Sequence, residues 1–293
     1  MPAEHRPSDL DEPVTRPRSR QDRGTPPLGV HRQGVGAPTV YAHGLGGSHR
    51  YFEALWGQLP PHEVIGPDLL GFGRSPKPRH CAYRIEDHVQ ALEPLVPRGA
   101  LVVGHSAGAI VALALAARTQ IPLQGLVLLG LPVFSSAEEA LSSMAGIGPF
   151  ARSTAEGRLS AHATCALACM TRPLWRTVVP RVVHDLPEAV VADTFSHTWR
   201  SYSRTLRNVV VDHRVTDDLD ALHAPLLLVH GEGDRSAPLL SLRSLLAARP
   251  RTRLVVLAGN HHLAVCRPQA LAEHLAPLVR TFDSLPLPAE AAS

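Results

Sequence analysis

Three residue types far apart in this chain could together cleave an acyl bond: a serine, a histidine and a carboxylate. Ser106 stands at the centre of Gly104-His105-Ser106-Ala107-Gly108, between an apolar run, Leu101 to Val103, and an Ala-rich stretch, Ala107 to Arg118. A hydroxyl attacks poorly at neutral pH, so a base must take its proton and a third group must aim that base. The candidate bases are His261 and His262, which follow the apolar run Leu254 to Leu257 after Ala258-Gly259-Asn260. With 17 histidines in the chain, residue type alone says little, and it is the position behind the last strand-like run that singles this pair out. The carboxylate is Asp234, in Val229-His230-Gly231-Glu232-Gly233-Asp234-Arg235-Ser236-Ala237-Pro238, with Glu232 as its nearest rival. The other loop that could supply an acid, after Gly125 to Leu129, holds Leu131-Pro132-Val133-Phe134 and no carboxylate before Glu138.

These residues need a scaffold that brings them to one edge. Glycines two places either side of the serine let a strand double back into a helix, because a side chain there would strike the neighbouring strand or helix. Ser106 is thereby expected at the sheet edge with its hydroxyl turned outward. From Pro38 onward short β-rich runs alternate with helical patterns, the signature of a parallel sheet covered by helices. Strands are expected over Thr39 to Ala42, Glu63 to Ile65, Ala100 to Val103, Gly125 to Leu129, Pro225 to Val229 and Arg253 to Leu257. Helices are expected over Tyr51 to Leu59, Tyr83 to Glu93, Ala107 to Arg118, Leu239 to Ala248 and Pro268 to Phe282.

Alternation stops between residues 132 and 215, a stretch helical in tone that carries Met144, Trp175, Phe195, Trp199 and Tyr202. It reads as a helical cap inserted into an α/β core of residues 37–131 and 216–283. Residues 1–36 alternate Pro, Arg and acids with almost nothing bulky to bury, which predicts a disordered tail, and residues 284–293 are expected to fray.

The chain has 293 residues, 44% of them hydrophobic, ample for a packed core. Its 29 basic and 26 acidic residues leave a formal charge of +3, too balanced to favour nucleic acid or a membrane surface. The longest apolar run, Ala107 to Ala117, is too short to span a bilayer, and no secretory h-region is present. Cys81, Cys165, Cys169 and Cys266 are scattered, which predicts buried free thiols and a reducing, cytoplasmic setting. Neither an H-E-x-x-H spacing nor a phosphate-binding G-x-x-x-x-G-K-[ST] loop occurs, so no metal or cofactor is expected. The expected partner is a small-molecule substrate.

The order Ser106, Asp234, His261 is joined by two further motifs, His43-Gly44-Leu45-Gly46-Gly47 and Asp68-Leu69-Leu70-Gly71-Phe72-Gly73-Arg74-Ser75. With them, residues 38 to 282 resemble the α/β-hydrolase superfamily of esterases, lactonases and carbon-carbon hydrolases. The resemblance implies a doubly wound, mostly parallel sheet with an inserted helical cap. It also implies Ser106 as nucleophile, Asp234 as acid and His261 as base. The family's G-x-G-H loop is imperfect here, with Ala258 and Asn260 at the glycine positions, so His262 stays as the alternative base. The implied oxyanion donors are the N–H groups of Leu45 and Ala107. Asp68 and Arg74 are expected to brace their loop, and His43 and His105 to hydrogen-bond locally.

A serine at the apex sets the chain apart from superfamily epoxide hydrolases and haloalkane dehalogenases, which carry Asp there. The G-G-S-W-G elbow of proline iminopeptidases is absent. An aromatic, Met-bearing cap implies a small to medium apolar acyl substrate, with Phe134, Met144, Trp175 and Trp199 as candidate walls. The expected reaction is ester or lactone hydrolysis through an acyl-enzyme. Carbon-carbon hydrolysis, thioester hydrolysis, and lyase or cyclase chemistry on the same scaffold are the alternatives.

Overall fold

A computed structural model describes residues 27–145, 171–179, 186–249 and 252–280. The chain opens with β1 (Val30–Gln33), β2 (Pro38–Ala42), a 3-10 turn (His49–Phe52) leading into the short α1 (Glu53–Trp56), and β3 (Glu63–Pro67). Then come α2 (Ile85–Leu92), β4 (Leu101–His105), α3 (Ala107–Arg118) and β5 (Gly125–Leu129). Between β5 and the next strand lie α4 (Ala137–Ala145), α5 (Arg172–Val178), α6 (Glu188–Asp193), α7 (Trp199–Thr205), a π turn (Leu206–Val211) and α8 (Val215–Ala221). The chain continues through β6 (Leu226–Gly231), α9 (Leu239–Leu246), β7 (Arg253–Leu257), α10 (Leu263–Cys266) and α11 (Pro268–Arg280).

The seven strands form one sheet in the order β1-β3-β2-β4-β5-β6-β7. β1 runs antiparallel to β3, and every other pairing is parallel, with Val102 of β4 between Val40 of β2 and Leu126 of β5. Parallel strands are covered on both faces, which explains their unbroken apolar runs. Val40, Val102, Leu126, Leu128 and Leu228 pack with Ile110 and Leu113 of α3 on one face. Tyr41, Val103, Val127, Leu129 and Val229 pack with Leu55 of α1 and Leu271 and Leu275 of α11 on the other. Each fully buried Leu or Val is worth about 1.5–3 kcal/mol, so the two layers supply the bulk of the driving force. The central helix α3 is buried without interruption from Ala107 to Leu115, as its Ala-rich sequence permits.

The doubly wound sheet agrees with the sequence reading, while several boundaries move. The expected tail stops short of residue 36, because Val30–Gln33 pairs with β3 as an edge strand; residues 1–26, 284–293, Cys165 and Cys169 lie outside the described residues. The helix expected over Tyr51 to Leu59 ends at Trp56, ahead of Gly57 and the Pro60-Pro61 pair that cannot continue it. α2 starts at Ile85, two residues late, because Tyr83 takes φ 54°. Cys266 is exposed and Cys81 half-buried, so the expectation of buried thiols is corrected at both.

The stretch from α6 to the π turn is pinned by long-range bonds to the connections that follow β2 and β3. Ser201 of α7 donates to the Gly71 carbonyl at 2.8 Å, Asn208 of the π turn donates to the Ala82 carbonyl at 2.7 Å, and Ser48 donates to Asp193 of α6 at 2.7 Å. α7 starts at a capping box: Thr198 Oγ1 accepts from the Ser201 N–H at 3.1 Å, and Ser201 Oγ accepts from the Thr198 N–H at 3.0 Å.

Candidate active site

Five loops converge because five parallel strands end at one edge, the usual ligand edge of an open α/β sheet. Ser106 follows β4, Gly130 follows β5, Asp234 follows β6, His261 follows β7, and Gly44 and Leu45 follow β2.

Ser106 takes φ 54°, ψ −124°, a backbone state that costs a non-glycine residue about 1–3 kcal/mol and persists only when the surroundings enforce it. Here the surroundings are tight. A Cβ on Gly108 would stand 2.3 Å from the carbonyl oxygens of both Ala42 and His43, and one on Gly104 would stand 2.6 Å from the Gly108 carbonyl oxygen. The Ser106 N–H donates to Leu129 O at 3.0 Å, tying the turn to the end of β5.

Asp234 and His261 come together from loops 27 positions apart. His261 Nδ1 lies 2.7 Å from Asp234 Oδ2, which makes Nδ1 the protonated nitrogen and leaves Nε2 with a lone pair. Asp234 Oδ1 accepts from the Ser236 and Ala237 N–H groups at 2.9 Å each, so the carboxylate is fixed before it meets the ring. Burial pushes the Asp234 carboxyl up, but the His261 bond and charge and the Ala237 N–H outweigh it and hold it below its ordinary value. His262 does not reach the acid. Its Nδ1 is buried without a hydrogen-bond partner, and burial first, then His261, lowers its imidazole to about 4. Of the two histidines and two carboxylates left open by the sequence, His261 and Asp234 are the pair in contact. Gly130 (φ 54°) closes the third side: a Cβ there would be 3.1 Å from His261 Nδ1 and 3.2 Å from Asp234 Oδ2.

The loop after β2 passes directly over the serine turn, since a Cβ on Gly44 would lie 3.0 Å from Ser106 Cβ and 2.9 Å from His105 Nδ1. Gly47 N–H closes the loop on Gly44 O at 3.0 Å. Ala107 is the first residue of α3, and a helix leaves its first N–H groups without internal acceptors. His43 is buried and locally bonded: Nδ1–H donates to Gly44 O and Nε2 accepts from the Leu69 N–H, both at 2.8 Å. Burial lowers its pKa, which suits this neutral state. Asp68 braces its loop by accepting from the His49 N–H at 2.9 Å, His49 Nδ1 at 2.8 Å and the Arg74 N–H at 2.7 Å. Burial opposes the charged form, yet these donors and His43 hold the carboxyl well below the usual carboxylate range.

The four candidate wall residues lie on four separate stretches of the chain between β5 and β6. Phe134 lines a cavity of about 290 Å³ with Val133, Val210 and Val211, where the chain leaves and rejoins the sheet region. Trp175 is 39% exposed on α5, its indole N–H on Thr171 Oγ1 at 2.7 Å, and Trp199 is half-buried at the start of α7. Met144 is in the last turn of α4, and its side chain lies outside the described part. A second cavity, of about 480 Å³, is lined by polar groups including His49, Arg50, Arg74 and Asp193; Ser106, Asp234 and His261 line neither.

Sequence reasoning missed Gly130, whose signal was a glycine directly behind an apolar run, and His49, the partner of Asp68. It also placed His105 in local bonding, whereas its Nε2 lies 3.0 Å from the carbonyl oxygen of His261, 156 positions away. Tyr202 of α7 was read as one of several cap aromatics, and its ring stands 3.6 Å from where a Gly46 Cβ would be. Among the described residues no helix is long and apolar enough to cross a membrane, and no cluster of three His, Cys, Asp or Glu is disposed to hold a metal.

A family model described as the alpha/beta hydrolase fold matches residues 38–266. The chain is 30% identical over 268 residues to a 2-hydroxymuconate semialdehyde hydrolase of Pseudomonas putida, covering 86% of this chain and 89% of that one. It is 28% identical over 249 residues to a probable lysophospholipase, BODYGUARD 4, of Arabidopsis thaliana, covering 76% of this chain and 59% of that protein. It spans 62% and 52% of two further BODYGUARD relatives, so about half to three-fifths of each. A solved E-2-(acetamidomethylene)succinate hydrolase superposes with TM-score 0.67 at 20% identity, over 88% of this chain and 95% of that one, a likeness of fold. A family model matched across most of the sheet, together with a relative covered over 89% of its length, makes this chain a member of the α/β-hydrolase fold family.

Proposed function

We propose that this enzyme is a serine hydrolase that cleaves a small to medium apolar carboxylic ester or lactone through an acyl-enzyme. The observation that carries the reading is Ser106 in its strained backbone state, its N–H bonded to the residue just before Gly130, which abuts the His261–Asp234 pair. In the proposed cycle, Ser106 Oγ attacks the carbonyl carbon as His261 Nε2 takes the hydroxyl proton. The oxyanion is received by the N–H groups of Leu45 and Ala107, which need no reorganisation when charge appears. His261 then returns the proton to the leaving alkoxide; water, deprotonated by the same imidazole, attacks the acyl carbon, and the imidazole hands that proton to Ser106 Oγ as the acid departs. Asp234 stays ionised throughout and steadies the imidazolium, consistent with its lowered pKa.

Residues 132–215 would serve as a cap over this edge, a reading supported by Tyr202, whose ring stands 3.6 Å from where a Cβ on Gly46 would be. A serine-directed phosphonate should label the wild-type protein and not Ser106→Ala. The same variant should lose p-nitrophenyl ester turnover by about 10⁴-fold or more while keeping its melting temperature. An unlabelled wild type would sink the reading.

One observation favours a second reading, carbon-carbon hydrolysis: the relative matched over almost its full length is named for 2-hydroxymuconate semialdehyde. Turnover of that compound alongside a p-nitrophenyl ester panel separates the two, since each reading predicts the larger kcat/KM for its own substrate.

A further inference from the structure

His105, the last residue of β4, is 4% exposed and carries a polar ring into a layer of packed side chains. A carbonyl can only accept, so the 3.0 Å contact with His261 O makes Nε2 the protonated nitrogen. The ring stacks on Tyr51 at 4.1 Å and 18°, and its centroid is 4.7 Å from that of His261. Gly44 leaves no room behind it, since a Cβ there would lie 2.9 Å from His105 Nδ1. His105 is therefore wedged between the loop after β2, the turn bearing Tyr51 and the loop bearing His261.

The His261 loop is fastened to the acid loop by two backbone bonds, Glu232 N–H to Leu257 O and Gly233 N–H to Gly259 O, both 2.9 Å. Those bonds end at Gly259, two residues before His261, so the seat of its ring on Asp234 still depends on what holds the His261 backbone. Nor do they fix His261 relative to Ser106, which belongs to a different strand.

We propose that His105 is a positioning residue: its Nε2–H, bonded to the His261 carbonyl, holds the histidine loop in register with the serine turn, so that base and nucleophile keep their separation. The role of His261 rests on the serine-hydrolase reading above, whereas the bond and its effect on the Asp234–His261 contact do not. A displacement near 1 Å in such a site costs on the order of 100-fold in rate, which is what a missing tether would cause. Burial, then the neighbouring His261 and His262, push the His105 imidazole well below its ordinary pKa. It thus stays neutral and adds no second cation when His261 takes up a proton.

The test uses the full-length chain with three substitutions. His105→Phe keeps a ring against Tyr51 and drops the donor. His105→Asn keeps an amide too short to reach, and His105→Gln restores an N–H near the Nε2 position. Two readouts are taken on each: the low-field proton resonance of the His261 Nδ1–H bonded to Asp234, and kcat and KM for a p-nitrophenyl ester as functions of pH. The Phe and Asn variants should shift or lose the resonance and lower kcat about 10- to 100-fold, with KM within about 3-fold, and Gln should recover most of both. Should Phe fail to fold, Asn against Gln gives the same comparison. An unmoved resonance and unchanged kcat in Phe or Asn overturns the proposal, and so does a Gln variant no better than Asn. If the wild type neither turns over esters nor takes the phosphonate, the serine-hydrolase reading falls, and the resonance still decides for or against His105.

Discussion

Gly130 has no side chain, and its absence makes room for the Asp234–His261 contact. Its φ of 54° disfavours any side chain, and a methyl group there would press on His261 Nδ1 at 3.1 Å and Asp234 Oδ2 at 3.2 Å, so that ring or carboxylate must give way. Gly130→Ala is expected to push the ring off the carboxylate, lowering kcat about 10- to 100-fold with KM nearly unchanged, at a stability cost of about 1 kcal/mol. Steady-state kinetics and a urea melt check both parts; an Ala variant with wild-type kcat would show that the loops yield freely. The serine turn was legible because steric need leaves a trace in sequence as glycines at 104 and 108. The preference for His261 over His262 came from the family resemblance, since adjacent residues differ in where a loop points them and the atypical Ala258 and Asn260 blurred the usual marker.

At the scale of elements, the strands β4 and β5 and the helix α3 were readable because each is an uninterrupted apolar run with no competing period. The stretch between β5 and β6 gave only its helical tone. Its placement depends on partners more than a hundred positions away, such as Gly71 for Ser201 and Ser48 for Asp193. Ser201→Ala should expose that dependence, because it strands a buried carbonyl on the far side of the interface. The expected loss is about 1–3 kcal/mol. A chemical-denaturation curve measures it, and an unchanged midpoint would show that this bond does not hold α7 in place.

Across the whole molecule, burial holds several of the described histidines neutral. Burial lowers the pKa of His88 and His262 to about 4 from the usual 6.5, that of His105 well below it, and those of His43 and His230 as well. The unfolded chain therefore binds more protons than the fold once pH drops below about 6.5, so stability is complete above that value and falls as pH descends toward 4. Asp68 and Asp234, both lowered, extend the loss below the ordinary carboxylate range. Melting temperature should drop from pH 7 to pH 5. His88→Gln, which keeps a group able to reach Thr205 but cannot titrate, should shrink the accompanying loss of unfolding free energy by on the order of 2 kcal/mol, and the drop in melting temperature with it. Parallel melts of the two proteins would contradict this.

What the sequence determined by itself is the alternating order of strands and helices, and with it the edge where Ser106, Asp234 and His261 are delivered, because both follow from local apolar period and from turns that admit only glycine. What the tertiary structure decided is which groups touch: His261 rather than His262 on Asp234, Gly130 beneath them, and His105 reaching across 156 positions to the histidine loop. A hydrogen bond between distant segments depends on positions that the whole packed chain sets together, and no local pattern of residues encodes them.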